Sequence, residues 1–278
     1  MPQDLYHNRS FIPDFDAIMA ETAARSRELS ARVDMQVDIP YGRGPRERMD
    51  ILLPSGMARG APLHMFIHGG YWRSGSKEDH RLVAAPVLAA GGVAALVTYD
   101  LMPATRLGDI VGQVRAAARH LASLAPGLGA DPGRFTASGH SAGAHLASYL
   151  AAFGPGEEAL PPLPPVRGLL LVSGIYDLSG IPDSFLKDEA RMTAAEAAAW
   201  SPLTSTQIDG PSRIITRGEF ETAPFQMQAE ALATALAGAE PKSELRLEKG
   251  RNHLSIVLDL AGPRSPLGER LSGLVAGS

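Results

Sequence analysis

Cysteine is missing from all 278 residues, which excludes disulfides, thiolate metal sites and a cysteine nucleophile together. Long hydrophobic runs are missing too. Nowhere does the chain approach the roughly 18 consecutive apolar residues of a membrane span. The opening MPQDLYHNRSFIPDF has neither the basic start nor the uninterrupted apolar stretch of a secretory leader. There is also no surplus of positive charge, because 26 Lys and Arg are scattered among 30 Asp and Glu for a net charge of −4. Nucleic acid is therefore not an expected partner, and neither is a membrane. A soluble, cytoplasmic chain is expected, with homodimerisation left open.

What is present is enough apolar residue, 45% of the chain, to fill one large core. We read residues 1–278 as a single domain with one insertion. Residues 16–32 are rich in helix formers and lead into two short alternating runs, 35–40 and 48–53, expected to pair antiparallel. The pattern then changes to short continuous apolar runs at 63–67, 93–99, 134–137, 168–172, 213–216 and 244–247, as befits strands buried on both faces of a parallel sheet. Helical patterns at 79–90, 109–124, 142–153, 224–237 and 254–260 alternate with them. This order predicts a doubly wound, mostly parallel α/β sheet with helices on both faces. The proline-rich run GPGEEALPPLPP, 154–165, reads as an exposed connection. Residues 178–206 are too long and irregular for a simple crossover, and we read them as a small helical cap at the sheet's carboxyl edge, where such folds bind ligands.

The run at 134–137 enters Gly139-His140-Ser141-Ala142-Gly143 and then an apolar helix. This is G-x-S-x-G in the strand–turn–helix setting that lifts a nucleophilic serine above a sheet. Ser141 needs a base, because a hydroxyl is a poor nucleophile at neutral pH. His253 is the candidate, in a loop after the last strand. The order Ser, acid, His fits the α/β-hydrolase arrangement. The acid should follow the run at 213–216, where Glu219 and Glu221 compete and periodicity cannot choose between them. Upstream, the segment 68–80 (HGGYWRSGSKEDH) is not a phosphate loop, since its Lys and hydroxyl residue stand in the wrong order. Its His68 and His80, like His140 and His145, lack metal-ligand spacing. We read His68 as a structural loop residue and His140 as a packed residue of the serine turn.

Together HGGYW (68–72), GHSAG (139–143), SGIYDL (173–178) and the His253 loop resemble the kynurenine formamidase-like branch of the α/β-hydrolase superfamily, relatives of the hormone-sensitive-lipase esterases. The resemblance runs from about Tyr6 nearly to the chain's end. HGGYW is its most specific motif. The family's acid motif is matched by Glu221-Thr222-Ala223-Pro224-Phe225-Gln226-Met227-Gln228 in its acid, Phe and Gln spacings, which favours Glu221 although the proline is displaced by one. The resemblance further implies an oxyanion hole of backbone N–H groups from Gly70, Tyr71 and Ala142, with no metal or organic cofactor.

The implied activity is serine hydrolysis of a small ester or amide, such as the aryl formamide N-formyl-kynurenine. A general carboxylesterase or amidase is the alternative. A metal-dependent amidohydrolase and a non-catalytic binding protein are less favoured. Trp72, Tyr71, Tyr176 and Phe220, with Trp200, are candidate aromatic walls for the substrate. Arg73 or Arg191 would meet a substrate carboxylate.

Overall fold

The computed structural model describes residues 3–159, 161–241 and 243–278. Its strands are β1 (Asp34–Pro40), β2 (Arg48–Leu53), β3 (Ala61–Ile67), β4 (Val93–Val97), β5 (Ala130–His140), β6 (Val166–Val172), β7 (Ser212–Gly218) and β8 (Glu244–Glu248). Among the described residues they form one eight-stranded sheet in the order β1-β2-β4-β3-β5-β6-β7-β8. The β1–β2 and β2–β4 pairs are antiparallel and the other pairs are parallel. The chain steps from β3 outward to β4 and then returns to β3's other side as β5. That reversal opens a crevice at the carboxyl ends of β3 and β5, which is where HGGYW and GHSAG begin.

The helices are α1 (Phe15–Ser30), α2 (Ala84–Ala89), α3 (Leu107–Leu128), α4 (Ala142–Ser148), α5 (Lys187–Ala190), α6 (Ala194–Ala199), α7 (Ala223–Ala235), α8 (Ser255–Leu260) and α9 (Pro266–Ala276). Successive strand residues point to opposite faces, so Ile51 and Met65 enter one apolar cluster while Leu52 and Phe66 enter another. Helices α3, α4 and α7 cover the first cluster, and α2, α8 and α9 cover the second. Burial on both faces explains why β3 and β4 are apolar without alternation. No helix among the described residues is long and apolar enough to cross a membrane.

Several elements depart from the sequence expectation. The helix expected over 79–90 is a 3₁₀ turn, Glu78–Val83, followed by α2, whose Pro86 lies in the first turn where no N–H is needed. The helix expected over 142–153 ends at Ser148, because the chain leaves it to bridge Ala152 with Gln207 and to donate Phe153 N–H to Thr206 O at 2.9 Å. Strand β5 starts four residues before the apolar run that announced it. Helix α9 was not expected at all, yet Ser265 caps Gly268 N–H and Pro266 opens the first turn. Its buried stripe Leu267, Leu271, Val275 is diluted by Gly268, Ser272 and Gly273. The proline-rich connection includes Leu160, which lies outside the described residues.

Residues 178–206 hold α5 and α6. They are tied to α3 through Arg106 and Glu196, whose Oε1 accepts Leu107 N–H at 2.9 Å.

Histidines are built into this core as neutral rings. His64 on β3 bridges the hydroxyls of Thr136 (2.9 Å) and Ser138 (2.7 Å) on β5, and burial pushes its pKa down to about 3. Burial likewise lowers His68 to about 3 and His145 to about 4. The unfolded chain takes up these protons near pH 6.5 while the folded chain refuses them, so stability is lost as pH falls below that value. Each such ring removes about 1.4 kcal/mol per pH unit between its unfolded and folded pKa. We expect the urea midpoint to fall markedly from pH 7.5 to pH 5, and an unchanged midpoint would contradict the neutral core histidines.

Candidate active site

Ser141 sits between β5 and α4 with φ +56° and ψ −121°, a conformation that L-residues seldom adopt. Bulk is what the turn cannot accept. A Cβ on Gly139 would lie 2.1 Å from Gly143 O, and one on Gly143 would lie 2.0 Å from Ile67 O. Strain of this kind costs about 1–3 kcal/mol and persists only where the surroundings enforce it. Here Ser141 N–H donates to Val172 O on β6 at 2.9 Å, and Ser141 O accepts Ala144 N–H at 3.0 Å.

His253 reaches the elbow from the loop between β8 and α8. Its Nε2 lies 3.0 Å from Ser141 Oγ, the distance required for proton transfer from the hydroxyl. Both residues are buried. Phe225 packs on the imidazole at 4.2 Å between centroids, and His140 Nε2 donates to the His253 carbonyl at 2.7 Å.

The two competing acids have different surroundings. Glu221 is buried, and its Oε1 lies 3.8 Å from His253 Nδ1. That oxygen accepts Gly218 N–H at 3.0 Å and the Ser173 hydroxyl, which fixes the carboxylate in place. Oε2 and His253 Nδ1 have no hydrogen-bond partner among the described residues. The contact is thus a close approach rather than a formed hydrogen bond. Glu219 is exposed and accepts Gly250 N–H at 2.8 Å.

On the other side of Ser141, Gly69 presses so close that a Cβ there would lie 3.1 Å from Ser141 Cβ and 2.9 Å from His140 O. Gly70 (φ +112°), Tyr71 (+51°) and Trp72 (+58°) then turn the loop sharply. Among the described residues the N–H groups of Gly70 and Tyr71 meet no acceptor, while Ala142 opens α4, where the first N–H groups lack intrahelical partners. Free donors beside a nucleophile can receive an oxyanion.

Residues 49–162 match the BD-FAE family model. The kynurenine formamidase of Danio rerio is 31% identical over 229 residues, which is 81% of this chain and 76% of that one. The kynurenine formamidase of Salmo salar is 30% identical over 251 residues, 87% of this chain and 81% of that one. This chain belongs to the kynurenine formamidase-like branch of the α/β-hydrolases. A crystal structure from a Silicibacter species, bearing a provisional thioesterase name, matches with a TM-score of 0.80 at 26% identity and covers 97% of this chain and 98% of that one. The chain is accordingly a hydrolase.

In this formamidase-like hydrolase a cavity of about 410 Å³ opens over Ser141 and His253. Tyr71 lines it, held by donation to Tyr6 O and by acceptance from Asn8 Nδ2 at 3.2 Å. The other expected aromatic walls lie elsewhere. Trp72 is fully buried and donates Nε1–H to His145 Nδ1 at 3.2 Å, because the consecutive positive φ values send alternate side chains to core and cavity. Tyr176 is fully buried and folds onto its own turn, with its hydroxyl 2.3 Å from where a Gly174 Cβ would stand. Phe220 is 65% exposed at the tip of the acid loop, and Trp200 packs on α3 against Gly108. Arg73 lines the cavity; Arg191, which caps α5, does not.

The wall that sequence reasoning missed comes from the N-terminal segment, with Asn8, Arg9, Phe15 and Met19, facing Phe185 from the 178–206 insertion. Helix α1 buries Ile18, Thr22 and Ser26, a stripe at spacing four. Two of those three are polar, so apolar periodicity does not register it.

The space around the backbone predicts opposite effects for two glycines, one in the elbow and one on α3. Gly143→Ala must displace the Ile67 carbonyl and should destabilise by about 3 kcal/mol, the cost of overpacking. Gly112→Ala, with open space around its α3 position, should stabilise by about 1 kcal/mol. Urea unfolding of the two variants checks both signs.

Proposed function

We propose that Ser141, His253 and Glu221 act as a nucleophile, base and acid that hydrolyse small aryl formamides and esters, N-formyl-kynurenine among them, through an acyl-serine. The 3.0 Å contact between His253 Nε2 and Ser141 Oγ, on a strained elbow beside free backbone donors, carries the reading. Ser141 Oγ attacks the carbonyl carbon as its proton passes to His253 Nε2. The carbonyl oxygen becomes an anion facing the N–H groups of Gly70, Tyr71 and Ala142, where each donor contributes about 3 kcal/mol to lowering the barrier. The imidazolium is stabilised by the Glu221 carboxylate. His253 then protonates the leaving amine or alcohol as the carbonyl reforms. Water then attacks the acyl carbon as its proton passes to His253 Nε2, and the imidazolium returns a proton to Ser141 Oγ as the ester bond breaks and the acid leaves.

The cavity supports a small aromatic substrate. Its volume lies near the lower end for small-molecule sites, and Tyr71, Phe15 and Phe185 present rings to it. Arg73, 5.8 Å above the Phe185 ring, is placed to meet a carboxylate on the far end of an amino-acid substrate, although Glu189 competes for it at 2.7 Å.

Replacing Ser141 with Ala should cut turnover of a p-nitrophenyl ester by roughly six orders of magnitude, with the urea midpoint preserved. Undiminished turnover would overturn the serine mechanism. Glu221→Ala should cost about 10⁴-fold, as loss of a triad acid does elsewhere, while Glu219→Ala stays near wild type; the reverse result would move the acid to Glu219. Relative kcat/KM for N-formyl-kynurenine, simple aryl esters and small amides then ranks the substrates.

A further inference from the structure

His140 is the buried titratable side chain nearest the nucleophile to which the reaction above gives no task. Its Nε2 lies 2.7 Å from the carbonyl oxygen of His253. A carbonyl can only accept, so the His140 proton resides on Nε2. Burial, with His253 and His80 as its charged-capable neighbours, holds the ring's pKa well below the usual histidine value, so it stays neutral at working pH. Nδ1 is therefore a bare lone pair. It has no hydrogen-bond partner among the described residues and is not among the fully enclosed polar atoms, while His140 itself lines the cavity with Gly69 and Ser141. A Cβ on Gly69 would stand 3.2 Å from this nitrogen, which places it at the loop beside the nucleophile.

The leaving group must sit close to His253 Nε2, from which it takes its proton. The His140 ring lies 4.8 Å from the His253 ring, and both residues line the cavity. We infer that His140 is a specificity-determining residue: its Nδ1 accepts a hydrogen bond from the N–H of a scissile formamide, favouring substrates with that N–H over oxygen esters. A site that offers an acceptor to a substrate N–H discriminates against the analogue lacking it, because the acceptor is left unpaired. Gly69 fits this role, since any side chain there would fill the space between loop and nucleophile.

The inference rests on the hydrolase reading above. It is tested by kcat/KM for an aryl formamide and for the matching aryl formate, which differ by N–H against O at the scissile position. His140→Phe keeps the ring and removes both nitrogens. It should lower the formamide-to-formate ratio roughly tenfold. His140→Asn keeps an acceptor, Oδ1, near the place of Nδ1 and withdraws the donor to His253; it should lower both activities and keep the ratio close to wild type. If the Phe variant fails to fold, His140→Leu, which likewise carries no acceptor, takes its place, with the same tenfold fall in ratio expected. Equal losses on both substrates in the Phe variant, unchanged activity in it, or a ratio in the Asn variant that falls tenfold would each overturn the inference. If Ser141→Ala retained turnover, the reading beneath it would fall as well; with Ser141 essential and the ratio of the Phe variant unmoved, only the role of His140 falls.

Discussion

A single strained residue sets the terms for the rest of this structure. Ser141 must hold φ +56° to project its hydroxyl away from the sheet, and nothing in serine's own preferences favours that conformation. The environment enforces it. Val172 O captures Ser141 N–H from the neighbouring strand, and the flanking glycines let Gly143 approach the carbonyl of Ile67 to a distance that forbids a side chain. The elbow is therefore inseparable from the register of β3, β5 and β6. Residues Ile67, Gly139 and Leu171 stand side by side in those strands, and a slip of one residue would dismantle the turn.

That register also aligns the partners. Three loops leave the carboxyl ends of parallel strands: one after β3 bearing Gly70 and Tyr71, one after β7 bearing Glu221, and one after β8 bearing His253. Each converges on Ser141 because parallel pairing brings all their origins to the same edge of the sheet. Short bonds then set the final orientations. Glu221 is fixed by Gly218 N–H and the Ser173 hydroxyl, and the His253 loop is fixed by His140. Ser173 and His140 both lie at strand ends adjoining the elbow, so Glu221 and His253 are referenced to the same piece of backbone that carries Ser141.

Much of this was legible in the sequence, and the exceptions have physical reasons. The strands of the parallel sheet announced themselves because burial on both faces requires continuous apolar runs. The G-x-S-x-G turn announced itself because crowding admits only small residues. Glu219 and Glu221 could not be separated by pattern, since two loop residues differ there only in which one the turn after β7 carries inward. Trp72, Tyr176 and Phe220 were misplaced for a related reason: an aromatic residue suits a core, a ligand wall or an exposed tip, and backbone torsions choose among them. The positive φ values at Tyr71 and Trp72 decide that neighbouring aromatics part company, one to the cavity and one to His145. Helix α9 was hidden by glycines inside its apolar stripe, although the Ser265-Pro266 start was there to be read.

The N-terminal segment was hidden more deeply, and its role joins the substrate cavity to the machinery. Leu5 O accepts from Thr222, next to Glu221, and the Tyr6 hydroxyl accepts from Gln228 on α7 at 3.1 Å. Tyr6 O and Asn8 both bond the Tyr71 hydroxyl, on the loop that carries the free oxyanion donors. The Tyr6 ring meets Phe225 edge-on at 6.1 Å, and Phe225 in turn packs on His253. A few consecutive residues thus touch the Gly70–Tyr71 loop, the Glu221 loop and the Phe225 that packs on His253, while their continuation through Arg9, Phe15 and Met19 forms the cavity wall. Because one segment serves both purposes, a change that reshapes the wall also disturbs the contacts that hold Tyr71, Thr222 and Phe225 beside Ser141, Glu221 and His253.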